Sequence, residues 1–412
     1  MKLSTPTISH SATFARVSST FTYENGQQNE VYFETTPEFA KYLVHEVSDA
    51  FIIAAMLPAM VYGEDIYVDN VSDYLSYNFD PLLYLFGKVF GYPPIKLYAK
   101  QVLHLEFNPQ AVGTGFSGGV DSLATYLEHT SESCPKEFRV NHLALFNVGA
   151  YGNDPEKTSK NFHDDLERAQ KFAKEVNIPL IPLNSNLSSI YTHKDIFHFS
   201  LRLTLCISSG ILCLQKLFKR YYISSHGTID TIKLSKYDQQ YYEGLFVQRL
   251  CTTNTDIMIA EPHYDRVEKT KRILQSELTT RHLYVCNADL VNEKHEGKHH
   301  EKEGHVNCSE CFKCVRTLLT IDLLGKLDQF RHLFNLEKYY KLKDALILQM
   351  YQEKELNHFQ TEIYELFKET GAAFTPNQLR LINKWHKQQL PKRLLRKCRA
   401  FCGKIVHKFL HI

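Results

Sequence analysis

An alternation of apolar runs with helical patterns between residues 107 and 285 is the feature that most constrains the fold. The apolar runs have strand length, and in "HLALF" and "IPLIPL" the Ile, Leu and Phe residues do not alternate with polar ones. Strands of this composition are buried on both faces. Because a helical pattern separates successive runs, the sequence predicts an α/β fold with a parallel sheet and helices on both faces.

The residues on either side of this region have different patterns. Two alternating segments, "ARVSSTFTY" and "NEVYFET", flank Asn25-Gly26 and predict a β-hairpin. A helix is expected to follow, with Thr36 as N-cap and Pro37 at its first position. We therefore predict three regions: a small α+β domain at 1–105, the α/β domain at 106–330 and a helical region at 331–412.

Composition and charge bear on the cellular compartment and the class of partner more than on the function. The formal net charge of +2 gives no reason to favour nucleic acid as a partner. The amino terminus lacks the apolar run of a signal peptide, and no apolar stretch reaches the roughly 18 residues that a membrane span needs. We expect a cytoplasmic protein, in which clustered cysteines indicate metal binding or catalysis more than disulfides.

The stretch "FSGGVDS" at 116–122 lies where a predicted strand gives way to a predicted helix. Adjacent glycines are a poor choice inside either element. Here Gly118 and Gly119 would let backbone N–H groups approach an anion at the start of the helix, and Ser117 and Ser122 would add hydroxyl donors. Asp121 would hold Mg²⁺ that bridges phosphate oxygens. The simpler alternative is a Ser/Gly-rich turn that caps the helix.

The same six residues, "SGGVDS", resemble the PP-loop of the N-type ATP pyrophosphatases. That superfamily includes GMP synthetase, NAD synthetase, asparagine synthetase, tRNA-thiolating enzymes and 7-cyano-7-deazaguanine synthase. The resemblance implies an adenine nucleotide α-hydrolase-like fold and cleavage of ATP between its α- and β-phosphates. The substrate is adenylated, and a nitrogen or sulfur nucleophile then displaces AMP. It also implies the ATP-binding set Ser117, Gly118, Gly119, Val120, Asp121 and Ser122.

Further segments resemble other parts of the ATP pyrophosphatase domain. "IAEPHYDRVEKTKRI" is similar to a late strand–Pro–helix segment that carries a lysine, which implies that Lys269 contacts phosphate and acts with Asp121 in catalysis. Arg266 and Lys271 are the weaker candidates, and a solvated basic helix face is the alternative for all three. His226, Thr228 and Asp230 follow a predicted strand, where they would line a substrate pocket or form a polar turn.

Three cysteines in "NCSECFKCVRT" have the C-x2-C-x2-C spacing at which thiolates converge on one zinc ion. Cys308, Cys311 and Cys314 need a fourth ligand, for which Cys286 is the first choice and the loop histidine His305 the alternative. An iron–sulfur cluster and unliganded cysteines are the competing interpretations.

The PP-loop, the cysteine triplet and a nearby arginine, Arg316, together resemble 7-cyano-7-deazaguanine synthase, in which a four-cysteine zinc site is structural. Two features depart from that pattern: Cys286 lies farther from the triplet, and regions are added at both ends of the chain. The resemblance covers roughly 107–330 and implies a divergent relative that acts on another substrate.

Two basic segments have open interpretations. The loop "KHEGKHHEKEGH" is either a metal-binding tract or a solvated insertion. The segment 391–412 predicts a basic amphipathic helix. Such a helix would contact an anionic membrane surface from the cytoplasmic side, dock a partner protein or pack on the domain.

These inferences combine into a predicted AMP-forming ligase with ATP, Mg²⁺ and Zn²⁺ as cofactors. It would adenylate a carboxylate-like small molecule and transfer it to ammonia or another nitrogen donor. One alternative is sulfur transfer or nucleobase modification by the same ATP chemistry, although Cys206 and Cys213 lie in an apolar helical pattern typical of a core. Another is a non-catalytic nucleotide-binding module of a multi-protein defence or surface-polysaccharide system.

Overall fold

A computed structural model describes residues 1–152, 154–286 and 304–389. Contacts among the described residues divide the chain into two compact units. The first comprises the described residues as far as Val285, and the second comprises Cys286 and 304–389. The loop histidines before residue 304 and the amphipathic segment 391–412 lie outside the described residues.

The first unit contains one 11-stranded sheet. Its strands in chain order are β1 (Lys2–Leu3), β2 (Thr7–His10), β3 (Ala15–Thr22), β4 (Gln28–Thr35), β5 (Ile66–Ser72), β6 (Leu97–Leu103), β7 (Ala111–Gly115), β8 (His142–Phe146), β9 (Leu180–Ser185), β10 (Phe218–Ser224) and β11 (Asp256–Ala260). The order across the sheet is β11-β10-β7-β8-β9-β4-β3-β1-β5-β6, and β2 pairs with β3.

The five strands β7 to β11 are all parallel to their neighbours within this set. The chain adds β8 and then β9 on one side of β7, and later returns to add β10 and then β11 on the other side. This confirms the predicted α/β class. The reversal makes a topological switch point between β7 and β10, and the carboxyl ends of strands at such a point form a ligand-binding crevice in open α/β sheets.

Seven helices lie in the described part of the first unit. They are α1 (Asp49–Tyr62), α2 (Asp73–Phe90), α3 (Val120–Thr130), α4 (Pro155–Glu175), α5 (Leu203–Cys213), α6 (Arg266–Ile273) and α7 (Glu277–His282). Helix α1 includes Pro58 and is buried on all sides over its first three turns. It packs against α5.

The amino-terminal strands continue the sheet of the α/β region. The predicted hairpin is confirmed as β3 and β4, and Gly26 in its turn has a φ of +82°. Strand β4 also pairs antiparallel with β9, where Phe33 lies opposite Ser185. The predicted limits at residues 105 and 330 therefore stay predictions, while strand pairing joins the regions on either side of the first limit.

The helix predicted to begin at Thr36 is wrong in its extent. Residues Pro37–Tyr42 form a short 3-10 helix, and α1 begins only at Asp49. The chain between these two helices makes a tertiary contact instead of a helical turn: the backbone N–H of Val44 donates to the carbonyl oxygen of Cys213 at 2.9 Å. A long-range hydrogen bond of this kind leaves no trace in local sequence periodicity.

The second unit is helical, as predicted for the carboxyl-terminal region. Its helices are α8 (Phe312–Leu323), α9 (Leu336–Glu353), α10 (His358–Glu369) and a further helical segment at 376–389. Trp385 in the last segment packs edge-on against Tyr351 of α9. Throughout the described ranges of both units, each helix is too short or too polar to cross a membrane.

Candidate functional site

The Ser-Gly-Gly stretch joins β7 to α3 at the carboxyl end of the central parallel strand. Gly118 has a φ of +76°, a conformation that favours glycine. A Cβ atom at Gly118 would lie 3.1 Å from the carbonyl oxygen of His282 and 3.3 Å from Cβ of Tyr284. Tyr284 N–H also donates to the Gly118 carbonyl at 2.8 Å. The first glycine is therefore required by the packing of the loop itself.

Gly119 has no such requirement. It is the N-cap residue of α3 with an extended backbone at a φ of −75°. A Cβ atom there would make only ordinary contacts, at 3.4 Å from Ser117 Oγ and 3.7 Å from the Tyr284 carbonyl oxygen. The second glycine instead leaves the amino end of α3 bare.

The two serine hydroxyls brace the loop from within. Ser122 Oγ donates to the Gly119 carbonyl at 3.1 Å and lies 3.3 Å from Ser117 Oγ. Gly119 N–H in turn donates to Ser117 Oγ at 3.4 Å. These contacts hold the loop in one conformation at the start of the helix.

The carboxylate of Asp121 meets two cations from α6. Arg266 Nη2 donates to Oδ2 at 2.7 Å, and Lys269 Nζ lies 3.6 Å from Oδ1. The structure thus brings the loop aspartate together with both Lys269 and Arg266. Lys271 faces elsewhere and pairs with Glu268 within the helix at 2.9 Å.

Lys269 is the most buried charged group of this cluster, with 1% of its side chain exposed. Its Nζ donates to the carbonyl oxygen of Ser225 at 2.6 Å and to Ser225 Oγ at 2.7 Å. Burial lowers the pKa of Lys269, and the charge of Asp121 opposes that change. Since Ser225 directly follows β10, Lys269 links the carboxyl ends of the two strands that flank the switch point.

Ser225 and Glu261 were not predicted from the sequence. Ser225 Oγ donates to the carbonyl oxygen of Glu261, which follows β11 and has a φ of +47°. The Glu261 carboxylate accepts from Thr125 Oγ1 at 2.7 Å and pairs with His129 Nε2 at 2.8 Å. The available signal was an acidic residue immediately after the apolar run in "IMIAEP".

A cavity of 590 Å³ lies beside Ser225 and along the edge strand β11. Its wall is largely apolar, with contributions from Ile232, Leu245, Val247, Ile257, Met258 and Ile259. Of the three residues predicted to line a substrate pocket, Thr228 lines this cavity, and His226 and Asp230 are not part of its wall.

Glu243 also lines the cavity and was missed by sequence reasoning. It lies in a short 3-10 turn, Glu243–Leu245, where neither strand nor helix periodicity marks a buried position. Burial raises the pKa of Glu243 to about 8, although Thr204 Oγ1 donates to its carboxylate at 2.7 Å. Close to neutral pH this carboxyl group can therefore donate a proton as well as accept one.

The second unit contains the cysteine cluster. The Sγ atoms of Cys286, Cys308, Cys311 and Cys314 all lie within 4.8 Å of one another. This arrangement includes Cys286 as the fourth cysteine, as predicted, and does not include His305.

Local geometry explains why the three clustered cysteines converge. The backbone turns at Ser309, which has a φ of +66°, and the N–H of Cys311 donates to Cys308 Sγ at 3.2 Å. Cys314 follows in the first turn of α8. Four thiols at these distances could bind a metal ion such as zinc, for which four sulfur ligands are a common structural set.

Comparison with known proteins adds no identification. No family model matches the chain, and no match is found among curated proteins or among solved structures.

Proposed function

We propose that the first unit is an ATP pyrophosphatase-type domain with an adenine nucleotide α-hydrolase-like fold, and that it adenylates a small molecule. The observation that carries this proposal is the meeting of Asp121, Arg266 and Lys269 at the glycine loop. The order of β7 to β11 supports it, because the loop follows the strand at which that order reverses.

Charge supports an anionic ligand at this site. Two cations, Arg266 and Lys269, face the carboxylate of Asp121, and the side chains of the two cations are 11% and 1% exposed. The amino end of α3 adds backbone N–H groups and the positive end of its dipole. A pyrophosphate group would be stabilised by these charges as it leaves, because charges act more strongly where water is excluded.

Mg²⁺ binding is a separate part of the proposal. Asp121 is the loop residue that would hold it, and the ion would neutralise phosphate oxygens. Both Asp121 oxygens already face cations of α6. The loop therefore offers Mg²⁺ one carboxylate, and that carboxylate is shared with Arg266 and Lys269. Dependence of ATP binding on Mg²⁺ is accordingly a separate measurement from ATP binding itself.

The reaction we propose joins a carboxylate-like substrate to ammonia or another nitrogen nucleophile. The substrate oxygen attacks the α-phosphorus of ATP, the bond to the β-phosphate oxygen breaks, and pyrophosphate leaves. Nitrogen then attacks the acyl carbon and displaces AMP. Adenylation is needed because AMP is a far better leaving group than a carboxylate oxygen.

Sulfur transfer is disfavoured by the described cysteines outside the cluster. A sulfur carrier needs an accessible thiolate of lowered pKa. Burial instead raises the pKa of the thiols of Cys134, Cys206, Cys213 and Cys251. Retention of activity after substitution of each of these four would exclude them as carriers.

For the second unit we propose a structural zinc site with Cys286, Cys308, Cys311 and Cys314 as its ligands. Its sulfur-only ligand set has no water or carboxylate ligand of the kind that a catalytic zinc site keeps. Zinc would tie Cys286 to the start of α8 and stabilise this unit.

The proposed chemistry is tested with the purified full chain, Mg-ATP, ammonium and a small-metabolite extract, followed by separation of the nucleotides. We expect AMP and pyrophosphate from the wild type and neither from Asp121→Asn. Asp80→Asn removes an exposed carboxylate of α2 and serves as the matched control. ADP and phosphate would contradict the PP-loop assignment. Bound but uncleaved ATP would favour the non-catalytic nucleotide-binding module.

A further inference from the structure

The cavity beside β11 has the size and lining of a small-molecule pocket. Cavities of roughly 300–1,000 Å³ with mainly apolar walls and a few polar groups are typical ligand sites, and this one measures 590 Å³. Leu245 and Met258 in its wall are 52% and 40% exposed, so apolar surface is also present where the cavity opens. An apolar body on the ligand would cover this surface.

Several polar side chains line the cavity, among them Thr228, Gln240 and Glu243. Three residues mark the end next to the carboxyl end of β10, because Ser225 and Thr228 follow that strand and Glu243 interacts with the charge of Lys269, which bonds to Ser225. The side chains of Thr228 and Gln240 make no hydrogen bond to the described part of the chain, and one Glu243 oxygen is held by Thr204. Hydroxyl, amide and carboxyl groups are thus available to a ligand in this cavity.

A buried cation lies next to this polar end. Ser225 lines the cavity, and its oxygen atoms accept hydrogen bonds from the buried ammonium of Lys269. The nearest carboxylate to Lys269, that of Asp121, is already paired with Arg266. The opposite charges of Arg220 and Asp256, which also line the cavity, neutralise each other at 3.0 Å.

We propose that this cavity binds a monocarboxylic acid with an apolar body, and that the carboxylate lies at the end formed by Ser225, Thr228 and Glu243. This proposal rests on the proposed adenylation only for the later reaction of the bound carboxylate with ATP. At that end Ser225 Oγ lies 2.7 Å from Lys269 Nζ, which in turn lies 3.6 Å from Asp121 Oδ1. The bound carboxylate would therefore lie on the side of the cavity that faces the nucleotide loop. Binding of the acid itself requires no ATP.

Glu243 gives the pocket a pH-dependent readout. Its ionisation responds to Asp238 in its own segment, Asp121 of α3 and Lys269 of α6, and the cavity wall adds Arg220 and Asp256. A protonated Glu243 donates to the bound carboxylate, whereas an ionised one repels it. Affinity is therefore retained below pH 8 and falls by up to about tenfold per pH unit above it. Glu243→Gln keeps a donor that does not ionise, so its affinity should not change with pH.

The test is calorimetric titration of the full chain, without ATP, with butanoate, hexanoate, octanoate and octylamine. Burial of each methylene contributes about 0.8 kcal/mol, so we expect affinity to rise about fourfold per added carbon. Met258→Asp puts a carboxylate on the exposed face of edge strand β11 and should weaken octanoate binding by about tenfold or more. Val102→Asp makes the same change on the other edge strand, β6, and should have no effect.

Three results would overturn the pocket: no measurable octanoate binding, tighter binding of octylamine than of octanoate, or equal octanoate affinity in Met258→Asp and wild type. Failure of the adenylation is distinguishable from these. If octanoate binds as expected and no AMP forms from any acid, the pocket stands and the proposed reaction is wrong. If AMP forms and Met258→Asp binds octanoate normally, the reaction stands and the pocket is wrong.

Discussion

The two glycines of the loop should have separable roles, because their backbones and surroundings differ. Gly118→Ala places a side chain in a left-handed conformation, which costs about 1–2 kcal/mol. The new Cβ would also lie 3.1 Å from the His282 carbonyl oxygen and displace the segment whose Tyr284 N–H bonds to Gly118. Loss of that hydrogen bond adds about 0.5–1.5 kcal/mol. We expect a total destabilisation of about 1.5–3.5 kcal/mol.

Gly119→Ala should have the opposite signature. Its φ of −75° is open to any residue, and the nearest atom to its Cβ is 3.4 Å away. The free energy of unfolding should change by less than about 1 kcal/mol, and a small gain is expected where alanine restricts the unfolded chain. A methyl group at the amino end of α3 would nevertheless separate the backbone from a phosphate group. ATP affinity should therefore fall by about tenfold or more, as for a lost hydrogen bond to a charged group.

The assay is urea denaturation followed by far-UV circular dichroism, paired with equilibrium ATP binding. The single tryptophan, Trp385, reports on the second unit, so its fluorescence does not measure unfolding of the first. At a slope of about 3 kcal/mol/M the Gly118→Ala midpoint should fall by about 1 M. Unchanged ATP affinity in Gly119→Ala would refute the phosphate argument and favour a simple helix-capping turn. Unchanged stability in Gly118→Ala would refute the strain argument.

Three further predictions address the cations, the metal and the buried acid. Lys269→Met should lower ATP affinity by roughly 10- to 100-fold, as for loss of a hydrogen bond between charged groups. Lys136→Met, at an exposed position, should leave ATP affinity unchanged. Equal ATP affinities in the two variants would show that Lys269 does not contact ATP. Elemental analysis should find zinc in the wild type and in Cys134→Ser but not in Cys308→Ser, and iron in place of zinc would make the cluster an iron–sulfur site. Because the folded protein raises the pKa of Glu243 to about 8, protonation of this residue contributes to the free energy of unfolding. The contribution is fully present below the ordinary glutamate pKa of about 4.5 and is lost progressively as the pH rises to about 8. Urea midpoints between pH 5 and 9 should therefore fall less in Glu243→Gln than in wild type, and parallel declines would show that another group is responsible.

Features encoded locally were predictable from the sequence. Alternation and the Asn25-Gly26 turn specified the β3–β4 hairpin, and uninterrupted apolar runs specified the parallel strands. Cysteine spacing specified three members of the metal cluster, and Cys286 was the first choice for the fourth, with His305 as the alternative. The helix expected from Thr36 is interrupted between Tyr42 and Asp49, where the Val44 N–H donates to the carbonyl oxygen of Cys213, a residue far along the chain.

The order of the strands in the sheet accounts for most of the site contacts that could not be predicted from the sequence. Asp121 and Arg266 are 145 residues apart in the chain, and they meet because α3 follows β7 and α6 follows β11 in the same parallel set. Knowledge of the strand order alone would therefore have brought α6 to the loop. Glu243 is different, because it enters the cavity from a run of short 3-10 turns between β10 and β11. Such turns have no repeating apolar pattern, so a buried acid within them resembles an ordinary surface residue until the chain is folded.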